Sequence, residues 1–579
     1  MTSHWRLALV LCLAAASSVS LHAIAADPTT EPSTKPTLSA EPNPRLNEPL
    51  SIFGIGSDAQ HTKDLPKWIP EFTKIGVHNM RDAGGTGWVG KLHDNWDGLG
   101  AKLVYVESQG TVTGTFLYNY RRDKGKNGLP MDDLAGWTAH VSQLVSHTKG
   151  HIKYFESWNE PPNGTAKGQT AVDYAKYMIA TYDAAKKANP DAMIGMACQS
   201  AHINYLDQAI KAGAKDHFDY ITLHPYETLG VTMSVSGAEP MFMNIVPAVR
   251  KMLAATNPEK LNVPIWLTEI GYDAKKDGSR QNIQAAALLK TYTMGIAQGI
   301  TCIDWFECKD GDSGPMGLLR GDGTPRPAFI AYSKLIESLG QQPEYLGWVL
   351  LNDRNYAFVF KGDKQNVLLT WAPKGASDDI DFGESVEIIE PLTGKSSKAD
   401  KYELTDMPII VNGAPTKFVD LAKANKPKPF PWGGDYTDAK SVSVTMGEKN
   451  IEKGLHTHSG DSIAADVIAY GGNARVGTMA GGNVFIVDPN FLTYTSTPIE
   501  ISVVCRRNPK NEPAKLRIEY ESTQGYKKTT EYVIPDNTEW HTATWKITDS
   551  QFVGKWGFNF RMDAGKYYVQ SVTVTKLEK

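Results

Sequence analysis

The sequence predicts an α/β protein, with a (β/α)8 TIM barrel followed by an all-β accessory domain and a C-terminal jelly-roll β-sandwich. Three observations lead to this fold class. From residue 50 onward, short apolar runs alternate with amphipathic stretches, giving eight units in about 290 residues. No G-x-G-x-x-G motif opens the first helix, which disfavours a dinucleotide-binding sheet. Beyond residue 343, short alternating strands replace the helical pattern.

Eight apolar segments are predicted to form the barrel strands, with amphipathic helices between them. The strand segments are SIFGIGS, VHNMRDAG, AKLVYVES, IKYFESWNEP, AMIGMACQS, FDYITLHPYE, PIWLTEIGY and ITCIDWFEC. The helical segments are LPKWIPEFTKIG, WTAHVSQLVSHTKG, AVDYAKYMIATYDAAKKANP, NYLDQAIKAGAK, PAVRKMLAATN, IQAAALLKTYTMGIAQG and AFIAYSKLIESLG. This order predicts a parallel sheet that is covered by helices.

The chain is predicted to divide into six segments, because 579 residues are too many for one hydrophobic core. A Pro-, Thr- and Ser-rich stretch near the N-terminus is typical of an extended tether, and ANKPKPFPWGG predicts a Pro-rich hinge. The segments are a signal peptide at 1–26, a linker at 27–48, the barrel at 49–342, a β accessory domain at 343–425, the hinge at 426–434 and the jelly-roll module at 435–579.

The first 26 residues predict a cleaved signal peptide. Arg6 precedes the apolar run LALVLCLAAA, and Ala23-Ile24-Ala25 has the small-x-small pattern of a cleavage site. Cleavage near Ala25 or Ala26 would give a secreted or periplasmic protein. The apolar run is too short to span a bilayer, and no later segment is long enough.

Charge and cysteine content exclude two classes of protein. A formal net charge of −4 with no strongly basic domain argues against a nucleic-acid partner. Four cysteines follow the signal peptide, too few for a disulfide framework in so long a chain. Cys302 and Cys308 are predicted to share one strand, where six residues span ~20 Å, too far for a bridge. We expect a monomer.

Two carboxylates occupy the positions where a barrel places its chemistry, at the carboxyl ends of strands. Strand four ends at Asn159-Glu160, and Pro161 stops the strand because it lacks the N–H that a ladder needs. Glu269 follows the buried run Ile-Trp-Leu-Thr on strand seven, where a carboxylate is costly unless it is paired or functional. Two glutamates facing each other across the barrel mouth are what glycoside hydrolysis requires. An ionised nucleophile would also favour the protonated form of the nearby acid.

Further side chains at the same strand ends are candidates to bind substrate or to orient the two glutamates. They are Arg81 on strand two, Asn159 on strand four, His224 and Tyr226 on strand six, and Trp305 and Glu307 on strand eight. Glu156 on strand four and Glu307 on strand eight are undecided between a structural and a substrate-binding role.

Each candidate also has a purely structural alternative. Glu269 could be a buried carboxylate paired with Arg81, and Glu160 could cap the following turn. His224 could orient a loop, and Trp305 could pack at the top of the barrel. A second copy of the tripeptide, Asn47-Glu48-Pro49, follows no strand and is interpreted as a solvated linker segment.

Three motifs together resemble the clan A glycoside hydrolases. They are Trp158-Asn159-Glu160-Pro161 after an apolar strand, His224-Pro225-Tyr226 on strand six, and Leu267-Thr268-Glu269-Ile270-Gly271-Tyr272 on strand seven. The order of the motifs and the spacing of roughly 110 residues between the glutamates also fit that clan. The stretch DYAKYMIATYDAAKKANPDAMIGM, followed by the HPY strand, is most similar to family 39 and its bacterial exopolysaccharide-degrading members.

The resemblance implies a role for most of these residues. Glu160 would be the general acid/base and Glu269 the nucleophile, with Tyr226 and Arg81 orienting Glu269. Asn159 would hydrogen-bond the 2-hydroxyl of the sugar. The C-terminal module generically resembles jelly-roll carbohydrate-binding modules, and by that analogy a structural calcium ion is expected there. Catalysis would need no cofactor and no metal in the barrel, since no H-E-x-x-H or comparable ligand cluster occurs.

The sequence therefore predicts a secreted, retaining glycoside hydrolase that acts on a polysaccharide or oligosaccharide. The appended β modules favour endo action, because tethering to a polymer raises the local substrate concentration. Two alternatives stay open at this point. One is an exo-acting β-glycosidase that trims terminal sugars. The other is a non-catalytic carbohydrate-binding protein on a barrel scaffold, which the presence of both glutamates on the expected strands disfavours.

Overall fold

Eight parallel strands close into a barrel in the order of the sequence, because the first strand pairs with the eighth. The computed structural model describes residues 43–57, 65–82, 111–116, 128–162, 169–311, 313–446, 450–457, 466–469, 472–477, 483–508 and 513–578. The barrel strands are β1 Phe53–Ser57, β2 Asn79–Asp82, β3 Thr111–Phe116, β4 Tyr154–Ser157, β5 Met193–Gln199, β6 Tyr220–His224, β7 Ile265–Ile270 and β8 Cys302–Trp305.

Seven of the eight predicted strand segments contain a barrel strand, and the third was placed wrongly. The predicted segment AKLVYVES covers residues 101–108, which lie outside the described residues. The strand that pairs with β2 and β4 is instead TVTGTF, at Thr111–Phe116. Threonine and valine are β-branched and favour strands, but this segment lacks the apolar run by which the other seven strands were recognised.

Nine helices accompany the barrel in the described part of the chain. They are α1 Leu65–Lys74, α2 Leu134–His147, α3 Ala171–Ala188, α4 Ile203–Lys211, α5 Tyr226–Ser234, α6 Glu239–Met243, α7 Ile245–Thr256, α8 Gln281–Gln298 and α9 Pro327–Leu339. Short 3-10 helices lie at Pro44–Asn47, Ala214–Asp216 and Pro258–Lys260. All seven predicted helical segments are confirmed, whereas α5 and α6 were not predicted. Among the described residues, no helix combines the length and apolarity needed to cross a membrane.

The ends of two long helices show how the local sequence sets their limits. Thr170 and Asp173 form a reciprocal capping box at the start of α3, which satisfies two backbone N–H groups. At the end of α8, Gly299 adopts φ 88°, a left-handed conformation that costs glycine little. These signals fix where α3 begins and where α8 ends.

The second domain is a six-stranded antiparallel sheet with one helix, so the all-β prediction is wrong in that respect. Its strands, in the order β13-β12-β14-β11-β10-β9, are β9 Glu344–Leu351, β10 Asn355–Lys361, β11 Asn366–Trp371, β12 Asp378–Glu390, β13 Lys395–Leu404 and β14 Ile409–Asn412. Helix α10, Thr416–Asn425, lies on this sheet with Val419 and Ala422 buried. A Cβ atom at Gly347 would lie 1.8 Å from the Ala422 carbonyl oxygen, so the contact requires glycine.

The two faces of this sheet serve different cores. On β10, Phe358 and Phe360 belong to the same core as the barrel, whereas Ala357 and Val359 belong to a separate core with Val419 of α10. Alternate side chains of a strand point to opposite faces. The second domain is therefore fused to the barrel by one face and closed by its helix on the other.

The C-terminal domain consists of two sheets around one core, together with a short two-stranded ribbon. The first sheet contains β15 Ser441–Thr445, β16 Ile451–Lys453, β18 Asp466–Ala469, β19 Gly472–Val476, β21 Ile499–Arg507, β26 His541–Ile547 and β28 Tyr567–Lys576. The second contains β17 Leu455–Thr457, β20 Asn483–Val487, β23 Ile518–Ser522, β24 Gly525–Lys528 and β27 Phe560–Met562, and the ribbon β22 Lys515–Leu516 and β25 Tyr532–Val533. The core takes side chains from both sheets, among them Ile501 and Phe560. A two-sheet module is thus confirmed, and the jelly-roll assignment stays a prediction.

The segment predicted as a hinge, residues 426–434, is instead packed between domains. The Phe430 ring stacks on Tyr356 and Phe358 of the second domain. The buried Trp432 ring stacks on His456 of the C-terminal domain, with ring centroids 3.7 Å apart. The aromatic rings make this segment pack against both domains despite its prolines, because burying the rings removes a large apolar area from water.

The end of the predicted linker is also attached to the barrel. The Asn43 backbone N–H donates to the Gly150 carbonyl at 2.8 Å, and Asn43 is buried. Glu48, within the second copy of the Asn-Glu-Pro tripeptide, is exposed and lies 3.3 Å from Arg45. Its interpretation as a solvated carboxylate is confirmed.

A buried ion pair joins the barrel to the second domain. Lys290 of α8 and Glu239 of α6 are almost fully buried, and their Nζ and Oε1 atoms lie 2.9 Å apart. The Trp371 indole N–H of β11 donates to the same oxygen at 2.8 Å. Removing one member of a buried pair leaves the other charge uncompensated, which costs far more than losing a surface pair.

We therefore expect Lys290→Met to lower the free energy of unfolding by about 3–5 kcal/mol. The matched control is Lys334→Met, which removes a surface pair with Glu337 and should cost at most about 1 kcal/mol. Urea denaturation followed by circular dichroism measures both variants. Equal losses in the two variants would show that the buried pair does not stabilise the contact between the domains.

Candidate active site

The mouth of the barrel brings together polar side chains from four strand ends. Arg81 lies on β2, Glu160 follows β4, His224 ends β6 and Glu269 lies on β7. The backbone between β4 and Glu160 is unusual, because Trp158 and Glu160 adopt φ values of 68° and 50°. Non-glycine residues rarely adopt this left-handed region, and strained backbone of this kind often occurs at active sites.

Glu269 is held by two donors from different strands. Arg81 Nη1 donates to Glu269 Oε2 at 2.9 Å, and the Tyr226 hydroxyl donates to Oε1 at 2.9 Å. The two contacts come from a charged and a neutral donor, and together they fix the orientation of the Glu269 side chain. The predicted orientation of Glu269 by Arg81 and Tyr226 is present in the structure.

Arg81 is a fully buried cation with three acceptors. Besides Glu269, its Nε donates to Glu156 Oε2 at 2.7 Å, and its Nη2 donates to Asn159 Oδ1 at 2.9 Å. Burial opposes the charge, but Glu156 and Glu269 outweigh this effect and raise the pKa of Arg81 above its ordinary value. Because the Asn159 oxygen is engaged, its amide nitrogen is the atom left to donate to a sugar hydroxyl.

Glu156 lies beneath the mouth and anchors Arg81. Its side chain is 0% exposed, and its Oε1 accepts hydrogen bonds from Thr222 at 2.7 Å and Thr268 at 2.6 Å. Burial alone would raise the pKa of Glu156, but Arg81 and the hydrogen bonds hold it well below its ordinary value. Glu156 is therefore an ionised structural carboxylate, which decides between the two roles left open for it.

His224 links Glu160 to this buried layer. Its Nδ1 lies 2.9 Å from Glu160 Oε1, and its Nε2 lies 3.1 Å from Thr268 Oγ1. Burial disfavours the charged ring, but Glu269 and the bonds to Glu156 and Glu160 prevail and raise the pKa of His224 to about 9. The imidazolium thus donates to Glu160 at neutral pH.

Only two of the three glutamates face the open mouth. The side chains of Glu160 and Glu269 are 23% and 16% exposed, in contrast to the fully buried Glu156. One ligand atom each of Glu160, His224 and Glu269 can be chosen so that all three lie within 4.8 Å of one another. The two exposed carboxyl groups are thus close enough to act on the same bond.

These three residues do not suit a metal ion at neutral pH, although their atoms are close enough to bind one. A histidine ligand must be neutral, whereas the pKa of His224 is raised to about 9. The Arg81 guanidinium also lies 2.9 Å from Glu269 and would repel a cation. Among the described residues this is the single His, Cys, Asp and Glu cluster with ligand geometry, so the calcium expected in the C-terminal module stays a prediction.

Trp305 and Glu307, predicted to contact substrate, are fully buried in the structure. Trp305 belongs to the main barrel core and presents no face to the mouth. Glu307 accepts a hydrogen bond from the Gly311 backbone N–H at 3.0 Å and so holds the chain that follows β8. In this structure Trp305 therefore packs within the barrel, as its structural alternative predicted, and does not contact the mouth.

Sequence analysis missed the two threonines that bind Glu156. Thr222 precedes His224 by two residues on β6 and so points to the same face, a signal that the sequence does contain. Thr268 and Glu269 are adjacent, and both reach the site because the pairing of β7 with β8 shifts register between Leu267 and Ile270. A β-bulge of this kind turns two neighbouring side chains to one side, which alternation cannot predict.

The raised pKa of His224 predicts a specific pH dependence of stability. Its folded pKa of about 9 lies above the ordinary value of 6.5, so its stabilisation is full below about pH 6.5 and lost as pH rises through about 9. The difference in unfolding free energy between wild type and His224→Gln should therefore be larger at about pH 6 than at about pH 9.5.

Urea denaturation at the two pH values measures this difference. His541→Gln, in the C-terminal domain, reports the general effect of losing a histidine away from the barrel mouth. A difference for His224→Gln that stays constant or grows with pH would contradict the charged ring.

Comparison with known proteins supports a sugar-cleaving barrel. The glycosyl hydrolase catalytic core family matches residues 103–332, and no curated protein matches the chain. Among solved structures, a family 39 glycoside hydrolase from the gut symbiont Bacteroides cellulosilyticus WH2 is 18% identical with a TM-score of 0.52, covering 62% of this chain and 80% of its own. At this identity the likeness shows a shared fold.

Two further structures are more distant. A family 30 endoxylanase from Clostridium papyrosolvens C71 is 13% identical with a TM-score of 0.43, covering 63% of this chain and 97% of its own. AbfB, a family 51 α-L-arabinofuranosidase from Bifidobacterium longum, is 10% identical with a TM-score of 0.40, covering 62% and 92%. Scores this low support no inference about this chain. Residues 103–332 thus match the glycosyl hydrolase catalytic core family, and the motifs at the strand ends of the barrel resemble those of the clan A glycoside hydrolases.

Proposed function

We propose that the chain is a secreted, retaining glycoside hydrolase that cleaves a polysaccharide internally. The observation that carries this proposal is the closeness of the Glu160 and Glu269 carboxylates, which, with His224, offer atoms within 4.8 Å of one another at the barrel mouth. Retaining glycosidases hold their two carboxyl groups about 5–5.5 Å apart, and inverting ones about 6.5–9.5 Å apart. An approach this close between oxygens of the two carboxylates favours the retaining arrangement, in which the nucleophile attacks the sugar directly.

Glu269 is the nucleophile in this proposal. Its two oxygens accept hydrogen bonds from Arg81 and Tyr226, so its side chain is held in a fixed orientation. It attacks the anomeric carbon as the glycosidic bond breaks and forms a covalent glycosyl-enzyme. The pKa of the Tyr226 hydroxyl is raised by burial and then by Glu269. The hydroxyl therefore keeps its proton and remains a hydrogen-bond donor to Glu269 throughout.

Glu160 is the acid and then the base. It protonates the leaving oxygen in the first step and takes a proton from the attacking water in the second. The His224 imidazolium donates to Glu160 Oε1 and so stabilises the carboxylate that remains after the first proton transfer. The side chain lies at the open mouth, where a leaving group can depart and water can enter.

Export and internal cleavage are the finer parts of the proposal. Arg6, the apolar run after it and the Ala23-Ile24-Ala25 site support a secretory signal. A polymer is supported as the substrate by the C-terminal β domain, which lies against the barrel on the side of β5. We propose that this domain binds glycan.

Sizing the products tests the mode of cleavage. The purified protein is incubated with a panel of plant, algal and bacterial polysaccharides, and the products are separated by size. Endo action should release oligosaccharides of mixed length early in the reaction. Release of monosaccharide alone would indicate an exo-acting enzyme, and no product from any polymer or aryl glycoside, under conditions in which the protein is folded, would contradict the hydrolase itself.

Product stereochemistry and two variants test the assignment of roles. Proton NMR of the first product should show the anomeric configuration retained. Glu269→Ala should abolish turnover, whereas Glu160→Ala should spare the first step on aryl glycosides with good leaving groups and regain turnover with azide. The matched control is Glu48→Ala, in the linker copy of the tripeptide, which should leave turnover unchanged. An inverted first product would overturn the mechanism.

A further inference from the structure

A cavity of about 250 Å³ lies between the barrel and the C-terminal domain. The start of α4 forms one wall, and β23, β24 and the chain around Lys555 form the other. The lining residues are Ala201, His202, Ile203, Asn204, Tyr205 and Gln208 from the barrel, and Glu521, Gln524, Gly525, Tyr526, Val553 and Lys555 from the C-terminal domain. Neither domain alone would enclose this space.

The cavity adjoins the turn that carries Glu160. The Gln199 backbone N–H donates to the Pro161 carbonyl at 3.1 Å, immediately after Glu160. One residue further on, the Ser200 carbonyl accepts from the His224 backbone N–H at 3.3 Å. The barrel wall of the cavity begins at the next residue, so it continues directly from the catalytic turn.

The two walls are fixed to each other by hydrogen bonds. Ser200 Oγ donates to the Lys555 carbonyl at 2.8 Å, and Asn204 Nδ2 donates to the Ser522 carbonyl at 2.9 Å. Within the C-terminal domain, the buried Glu521 accepts from the backbone N–H groups of Val553, Gly554 and Lys555. The backbone of Lys555 is thereby held in place against the barrel.

Two groups of the lining have spare hydrogen-bonding capacity among the described residues. Lys555 Nζ bonds His202 Nδ1 at 3.0 Å, which uses one of its three N–H donors. His202 accepts because burial lowers its pKa to about 3 and keeps the ring neutral. Asn204 is buried, and its Oδ1 has no partner within the described part of the chain. A buried polar atom of this kind calls for a ligand or water.

A sugar residue suits this pattern better than an anion does. Hydroxyl groups both donate and accept, so a sugar can accept from the Lys555 ammonium and also donate to an acceptor of the lining. The half-buried Tyr526 ring offers an apolar surface, with its hydroxyl fixed to Glu521 at 3.2 Å. Glu521 would also repel a negatively charged ligand.

We propose that this cavity is a carbohydrate subsite, built jointly by the barrel and the C-terminal domain, that holds a sugar of the leaving-group portion of the substrate. The proposal rests on the proposed function, because Glu160, beside the cavity, protonates the oxygen of the leaving group. The C-terminal domain then forms part of the substrate cleft in addition to any tethering of polymer. Its contribution is expected in the recognition of long substrates and not in the bond-breaking step.

Kinetics on a long and a short substrate test the subsite. The long substrate is a hexasaccharide and the short one a 4-nitrophenyl glycoside of the same sugar, from the series that wild type cleaves. Lys555→Met removes a charged hydrogen-bond donor and should raise KM for the hexasaccharide about tenfold, with kcat/KM for the aryl glycoside unchanged. Gln208→Trp should have the same effect by filling the cavity from the exposed rim of α4. Lys546→Met, exposed on β26, is the matched control.

The outcomes distinguish this inference from the proposed function. An unchanged KM for the hexasaccharide in both variants overturns the subsite, as does an equal loss on both substrates. If wild type cleaves neither substrate, the hydrolase proposal fails. Quenching of tryptophan fluorescence by a panel of hexasaccharides then tests separately whether the cavity binds sugar. Weaker binding by Lys555→Met and Gln208→Trp than by Lys546→Met then supports the subsite, whereas equal binding by all three, or no binding by wild type, overturns it.

Discussion

The buried Arg81 guanidinium is the interaction on which the barrel mouth depends, because it joins three strand ends through one side chain. It contacts Glu156 on β4, Glu269 on β7 and Asn159 just beyond β4. Burying a cation and carboxylates costs several kcal/mol per ion, which only close contacts and additional hydrogen bonds can offset. The barrel supplies both, since closure of the sheet brings β2, β4 and β7 to a common centre. A misplaced strand would leave a charge unpaired, so the same contacts stabilise the fold and hold Glu269, the proposed nucleophile.

Depth within the mouth distinguishes Glu156, which anchors Arg81, from Glu160 and Glu269, the residues proposed to react with substrate. Glu156 is fully buried, and its two oxygens accept hydrogen bonds from Arg81, Thr222 and Thr268. Glu160 and Glu269 lie nearer the surface and keep part of their side chains exposed. Three carboxylates of the same chemical type thereby acquire different roles from burial and partners alone, a division that enzymes commonly use.

The C-terminal domain is integrated with the barrel through aromatic and hydrogen-bonded contacts. Trp432 lies in one apolar cluster with Val231 and Met241 of the barrel and Ile486 of the sandwich. Asn244 on the barrel also donates to Thr493 at 2.7 Å. These contacts restrict motion of the domain relative to the mouth. A fixed wall binds a ligand at a lower entropic cost than a tethered module does, since less freedom is lost on binding.

The sequence by itself determined the barrel, seven of its eight strands and the strand ends that carry Glu160 and Glu269, because apolar periodicity and strand-end motifs are local signals. Tertiary structure decided what depends on contacts between distant segments. Strand β3 is identified only by its pairing with β2 and β4. Thr268 reaches Glu156 only because β7 contains a bulge. Trp305 was predicted to contact substrate, yet neighbouring elements bury it. The proline-rich connection is packed because its aromatic rings contact two domains. Burial and pairing are properties of the assembled chain, and no single segment encodes them.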